Sequence, residues 1–153
     1  MRKLLFIPIA LIISHLGFAQ LSNKFPPETM GYKPVDKADC NSLNMAGIPP
    51  MNTCSQKYSN GKLTITITLT EYPKGNPTIV NVGGNDQGDD PSAGSYSYEK
   101  IIVGKAKGSI TFMKSSKMAT ASMAIDDKII IDVNGANQPN IDAVKALAKA
   151  IKL

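Results

Sequence analysis

From Leu63 to Thr70 the chain alternates strictly, with Leu63, Ile65, Ile67 and Leu69 separated by Thr64, Thr66, Thr68 and Thr70. A period of two built from β-branched residues predicts a strand with one buried face and one wet face. Asn60-Gly61, just before it, is the dipeptide favoured by a two-residue type I′ hairpin, whose central residues both need positive φ. Tyr96–Val103, Lys107–Met113, Met118–Ile125 and Lys128–Val133 read as four further strands. They are separated by Gly104-Lys105, by the run KSSK at 114–117 and by Asp126-Asp127, and Asn134-Gly135 ends the last. Polar turn signals at this spacing describe a meander. Between the two regions lies a long connection, 71–95, with one short strand expected from Thr78 to Val82 and a polar loop after it.

The period changes near the C-terminus. Ile141, Val144, Leu147, Ala148 and Ile151 fall on one side of a helix over 140–152. Asn140 suits its N-cap, Asp142 its first turn and the lysines its end. Residues 20–57 carry Pro26, Pro27, Pro34, Pro49 and Pro50 with Gly31 and Gly47, which predicts an irregular flap lying across the sheet. One short helix, Val35 to Leu43 capped by Asp36, is expected within it. The expected fold is α+β: an antiparallel sheet of five to six strands over 58–134, packed by the C-terminal helix on its leucine-isoleucine face.

Arg2 and Lys3, the apolar run Leu4–Leu16 and the small residues of Gly17-Phe18-Ala19 have the layout of a secretory signal peptide ending near Ala19. The run is short of the roughly 20 apolar residues that span a bilayer. Cleavage would remove the only Arg and the only His15, and 15 Lys against 12 acidic residues would leave +3 in place of +5. About 134 residues then form one domain, 20–153. Without His, Ser-His-Asp and Cys-His chemistry and His-based zinc sites fall away. Without Arg or a basic run, a nucleic-acid role is not expected.

Residues 98–153, through YEKIIVGKAKG, SKMATASMAIDDKIIIDVNG and IDAVKALAKAIKL, resemble the C-terminal strands-then-helix module of small uncharacterised secreted bacterial proteins. The resemblance implies that fold and an extracytoplasmic compartment, and it transfers no catalytic residue.

Cys40 and Cys54 are the only cysteines, and an exported domain with one such pair is expected to close a disulfide. Free thiols are the alternative, and a redox pair with thirteen residues between the sulfurs is further off. Met45 and Met51 with the two cysteines could offer soft copper ligands, but such sites commonly include His. Asp86, Asp89 and Asp90 are oxygen donors for calcium, though their order fits no standard loop. Ser59-Asn60-Gly61-Lys62 spells S-x-x-K on a turn, where acyl enzymes need a helix. Tyr96, Tyr98, Lys100, Lys105, Lys107, Lys114 and Lys117 form a candidate interface with a cationic character. The expectation is an exported, non-enzymatic binding protein without a cofactor. It acts on a protein partner in the cell envelope, as a periplasmic inhibitor or immunity protein does, and is not stably inserted in the membrane. A small-ligand or lipid carrier is the alternative, and a hydrolase using Asp and Lys is remote.

Overall fold

A computed structural model describes residues 20–76, 79 and 96–153 of the chain. The expected signal peptide, most of the Thr78–Val82 strand, and Asp86, Asp89 and Asp90 lie outside the described residues.

Among the described residues, eight strands form one antiparallel sheet: β1 (Lys33–Pro34), β2 (Asp39–Leu43), β3 (Met51–Ser59), β4 (Thr64–Glu71), β5 (Tyr96–Val103), β6 (Ala106–Met113), β7 (Met118–Ile125) and β8 (Ile129–Gly135). Their order is β1-β3-β4-β8-β7-β6-β5, and β2 shares with β1 the outer edge of β3. The meander β5 to β8 is the one expected, and it returns so that β8 pairs with β4. The connection after β4 therefore leads to the far edge of the sheet before the chain works back. One helix follows, α1 (Asp142–Lys149), and the molecule is a sheet-dominated α+β fold.

The count of eight corrects the expected five to six, and the additional strands come from the segment expected to be an irregular flap. Its prolines delimit elements instead of preventing them: Pro34 ends an outer-edge strand, and Pro49-Pro50 sits in the connection between β2 and β3. Proline is tolerated at such positions because no ladder hydrogen bond is lost. The helix expected at Val35–Leu43 is absent from these described residues. Asp39–Leu43 is instead β2, held to β3 with Cys40 directly opposite Cys54. The Asn60-Gly61 turn also differs. Ser59 and Thr64 are the last paired residues, so the loop has four residues, and of the Asn60-Gly61 pair Gly61 alone has positive φ. Asn60 braces it through its side chain, Oδ1 accepting from the amides of Lys62 (3.0 Å) and Leu63 (2.8 Å).

Strand register sorts the residues into two faces. Tyr58, Ile65, Ile67, Leu69, Ile131, Val133, Ala121, Met123 and Ile110 are buried on one, and α1 closes that face with Val144, Leu147 and Ala148. The stripe predicted for the helix is thus the stripe it buries. Asn140 is not the formal cap, yet its Oδ1 accepts from the amide of Asp142 at 2.9 Å and satisfies one orphan donor. The Lys145 ammonium pairs with the Glu99 carboxylate, which joins the helix to edge strand β5.

The N-terminal segment is part of the core as well. Leu21 and Tyr32 belong to the buried cluster, and the Tyr58 hydroxyl donates to the carbonyl of Pro26 at 2.7 Å. Burial pushes the Tyr58 phenol up from its ordinary 10 to about 12. The folded chain thus keeps this proton longer than the unfolded one. Its contribution to stability is full below pH 10 and is lost as the pH rises through about 12. In an absorbance titration at alkaline pH, one tyrosine is expected to ionise late and together with unfolding. If all tyrosines titrated near pH 10 with the fold intact, the buried hydrogen bond would be refuted.

Candidate functional site

The second face of the sheet is where the candidate residues gather. Asp39, Ser55, Thr68, Asp132, Ser122, Ser109 and Lys100 lie opposite one another across seven strands. The next row holds Lys57, Thr66, Asn134, Thr120, Thr111 and Tyr98. These side chains satisfy each other. The Ser55 and Thr68 hydroxyls are 3.0 Å apart, and Ser122 donates to Asp132 at 2.6 Å. This polar face follows directly from the threonines of the β4 pattern.

The candidate lysines do not form one patch. Lys100 and Lys107 lie on the polar face of β5 and β6, and Lys105 sits in the turn between those strands. Lys114 and Lys117 occupy the β6–β7 turn at the opposite end, about 24 Å away for an eight-residue strand. Tyr98 lies on the polar face opposite Thr111, and Tyr96 is paired in register with Met113. The Tyr98 hydroxyl is buried, with no hydrogen-bond partner among the described residues.

Register adds two residues that sequence reasoning had not singled out. Met113 and Met118 lie directly opposite each other on the polar face, each 40% exposed, with Lys114 and Lys117 in the turn between them. Tyr96 pairs with Met113 on the other side. The signal was present: Phe112 and Ala119 point inward, so their neighbours Met113 and Met118 must point outward. The result is a corner where two exposed methionines flank a turn that carries two lysines.

The other candidates resolve differently. Cys40 and Cys54 are joined in a disulfide, which fits an oxidising, extracytoplasmic environment. The bond occupies both thiols, so the copper set with Met45 and Met51 loses its two thiolates. Among the described residues, no group of three or more His, Cys, Asp or Glu is gathered to hold a metal ion. Ser59 of the S-x-x-K run braces its own loop, donating to the carbonyl of Leu63 and accepting from the amide of Gly61. No helix among the described residues is long and apolar enough to cross a membrane.

The staple closes a sequence separation of 14, for which the chain-entropy model gives about 3 kcal/mol. Cys40→Ser with Cys54→Ser is expected to lower the urea midpoint accordingly. Because β2 pairs with β3 alone, amide exchange should accelerate first over 39–43. An unchanged midpoint and unchanged exchange there would show that the hairpin holds without its staple.

No family model, curated protein or solved structure matches this chain.

Proposed function

We propose that the protein is an exported, non-enzymatic binding protein of the cell envelope that acts on a protein partner, in the manner of a periplasmic inhibitor or immunity protein. The observation that carries this reading is the β6–β7 corner. Met113 and Met118 are exposed there on the sheet, on either side of a turn that carries Lys114 and Lys117, and beside the positions of Tyr96 and Tyr98. Protein interfaces enrich Met and Tyr at their centres and keep charge at the rim. Export is supported by the disulfide and by the signal-like layout of residues 1–19. The carrier reading is weaker, because Val144, Leu147 and Ala148 are fully buried against the strands and fill the helix–sheet space a lipid would need.

The test is affinity capture from envelope extract by the wild-type chain and by Met113→Ser/Met118→Ser. Both methionines are on the surface, so the variant should keep its fold. The reading expects one stoichiometric protein recovered by the wild type and lost from the variant. Recovery of no stoichiometric protein counts against it, and equal recovery by both moves the contact off this corner.

A further inference from the structure

The chain contains two Asn-Gly pairs, Asn60-Gly61 and Asn134-Gly135. In such a pair the glycine amide nitrogen can attack the asparagine Cγ. The amide proton passes to water, ammonia leaves, and a five-membered succinimide closes. Water then opens the ring at either carbonyl, giving aspartate or isoaspartate. Glycine favours the step because no side chain shields its amide. Water is the one co-reactant needed, so each site is decided by whether the fold lets the two atoms meet.

Asn134-Gly135 is closed by strand pairing. Both residues lie in β8 between β4 and β7, Asn134 opposite Thr66 and Thr120 and Gly135 opposite Ile65 and Ala119. On a strand the side chain stands off the sheet while the next amide lies in its plane, and leaving that geometry would open two ladders. Asn60-Gly61 has no such cover. Both residues are exposed in the β3–β4 loop, and a Cβ added at Gly61 would meet nothing within 4 Å. Exposure alone would make Asn60 the residue that reacts.

Both reacting groups are nevertheless held. The Gly61 amide, which is the nucleophile, donates to Ser59 Oγ at 3.0 Å. The Ser59 hydroxyl is fixed in turn by donating to the Leu63 carbonyl at 3.2 Å, which also accepts from the Asn60 amide at 3.3 Å. On the electrophile, Asn60 Oδ1 accepts from the amides of Lys62 at 3.0 Å and Leu63 at 2.8 Å. Ring closure must therefore release the Gly61 amide from Ser59 and swing Cγ away from the two amides that hold its oxygen. A hydrogen-bonded amide gives up its proton through local opening, and the same opening gates the succinimide.

We propose that Asn60 is a latent deamidation site, and that the Ser59 hydroxyl is the latch that keeps it closed while the β3–β4 loop is folded. The two products differ in what they do to the loop. Aspartate keeps an oxygen for the amides of Lys62 and Leu63, and it serves as well as asparagine in such a capping position. Isoaspartate adds a carbon to the backbone, so the four-residue loop no longer fits the Ser59–Thr64 register. Either product places a new negative charge beside Lys62.

The experiment stores the full folded chain in mildly alkaline buffer as wild type, Ser59→Ala and Ser59→Thr, with urea-unfolded wild type beside them. Cleavage after lysine releases peptides 58–62 and 129–145, and mass spectrometry reads aspartate plus isoaspartate at each site. Asn60 is expected to deamidate about ten-fold more slowly in folded than in unfolded wild type. Ser59→Ala should remove most of that protection, and Ser59→Thr, which keeps a hydroxyl, should recover it. Asn134 should stay intact in every folded sample. Equal rates at Asn60 in folded and unfolded wild type would overturn the latent site. An unchanged rate in Ser59→Ala, or a Ser59→Thr chain as fast as Ser59→Ala, would overturn the role of the hydroxyl. A rise at Asn134 as large as that at Asn60 would mean that the substitution loosens the whole sheet, and the latch would fail as its explanation.

Discussion

Gly108→Ala is expected to destabilise the fold by about 3 kcal/mol or more, lowering the melting temperature by roughly 10 °C. Gly108 is buried on the core side of β6, opposite Met123 of β7. A Cβ there would stand 1.9 Å from the carbonyl oxygen of Ser122, 2.6 Å from the Cα of Met123 and 2.8 Å from the carbonyl carbon of Ser122. All three are backbone atoms of a strand paired on both sides, to β6 and to β8, so none can move without opening a ladder. Gly135→Ala provides the comparison. Its Cβ would meet Cγ of Gln138 at 2.8 Å and Cγ2 of Val144 at 3.0 Å, which are side-chain atoms with some freedom to turn. At Gly61 nothing lies within 4 Å, and the positive φ alone sets a cost of about 1 kcal/mol. Denaturation midpoints should fall in the order Gly61→Ala, Gly135→Ala, Gly108→Ala, the last lowest. A Gly108→Ala protein within 1 kcal/mol of wild type would mean that β6 and β7 separate there more easily than the close approach implies.

The same local crowding explains why some elements were legible in the sequence and others were not. In β4 the inward positions Ile65, Ile67 and Leu69 alternate with outward Thr64, Thr66, Thr68 and Thr70, so alternation, propensity and burial agree. In β3 the inward positions include Cys54, Gln56 and Tyr58, and Gln56 donates to the carbonyls of Asp36 and Lys57. A polar residue satisfied by tertiary contacts leaves no hydrophobic period to detect. β2 is still less visible, because its place depends on pairing and a disulfide more than on burial: Asp39, Asn41 and Ser42 are exposed. The meander was readable because polar turns punctuate it, and α1 because its stripe has the helical period. For the candidate surface, sequence supplied the residue types but not the grouping. Which lysines share an end, and that Met113 faces Met118 across the turn holding two of them, are facts of register. So is the contrast between Met45 on a protruding turn and Met123 in the core, since the two side chains are chemically identical.

Gln138→Leu is the second substitution with a large expected cost, again about 3 kcal/mol, because it strands several polar groups at once. Gln138 is fully buried just after β8, where four parts of the chain converge. Its Oε1 accepts from the Tyr32 hydroxyl at 3.0 Å, and its Nε2 donates to the carbonyls of Thr64 (3.3 Å) and Ala136 (3.1 Å). Its own amide donates to the carbonyl of Lys117 in the β6–β7 turn at 2.8 Å, a bond that the substitution leaves intact. Leucine has nearly the same volume, so packing changes little, while the Tyr32 hydroxyl and two carbonyls lose their partner in a site closed to water. Gln138→Glu should be worse at neutral pH, since a buried carboxylate would face those carbonyls instead of donating to them. Burial raises the pKa of such a group, so part of the lost stability should return as the pH falls and the carboxyl takes up a proton. Tyr32→Phe alone removes one bond, and a double-mutant cycle with Gln138→Leu should give a loss smaller than the sum, by about 1 kcal/mol. Additive losses would mean that the 3.0 Å contact contributes nothing, whereas a Gln138→Leu protein as stable as wild type would remove the network as the link between the N-terminal segment, β4 and the approach to α1.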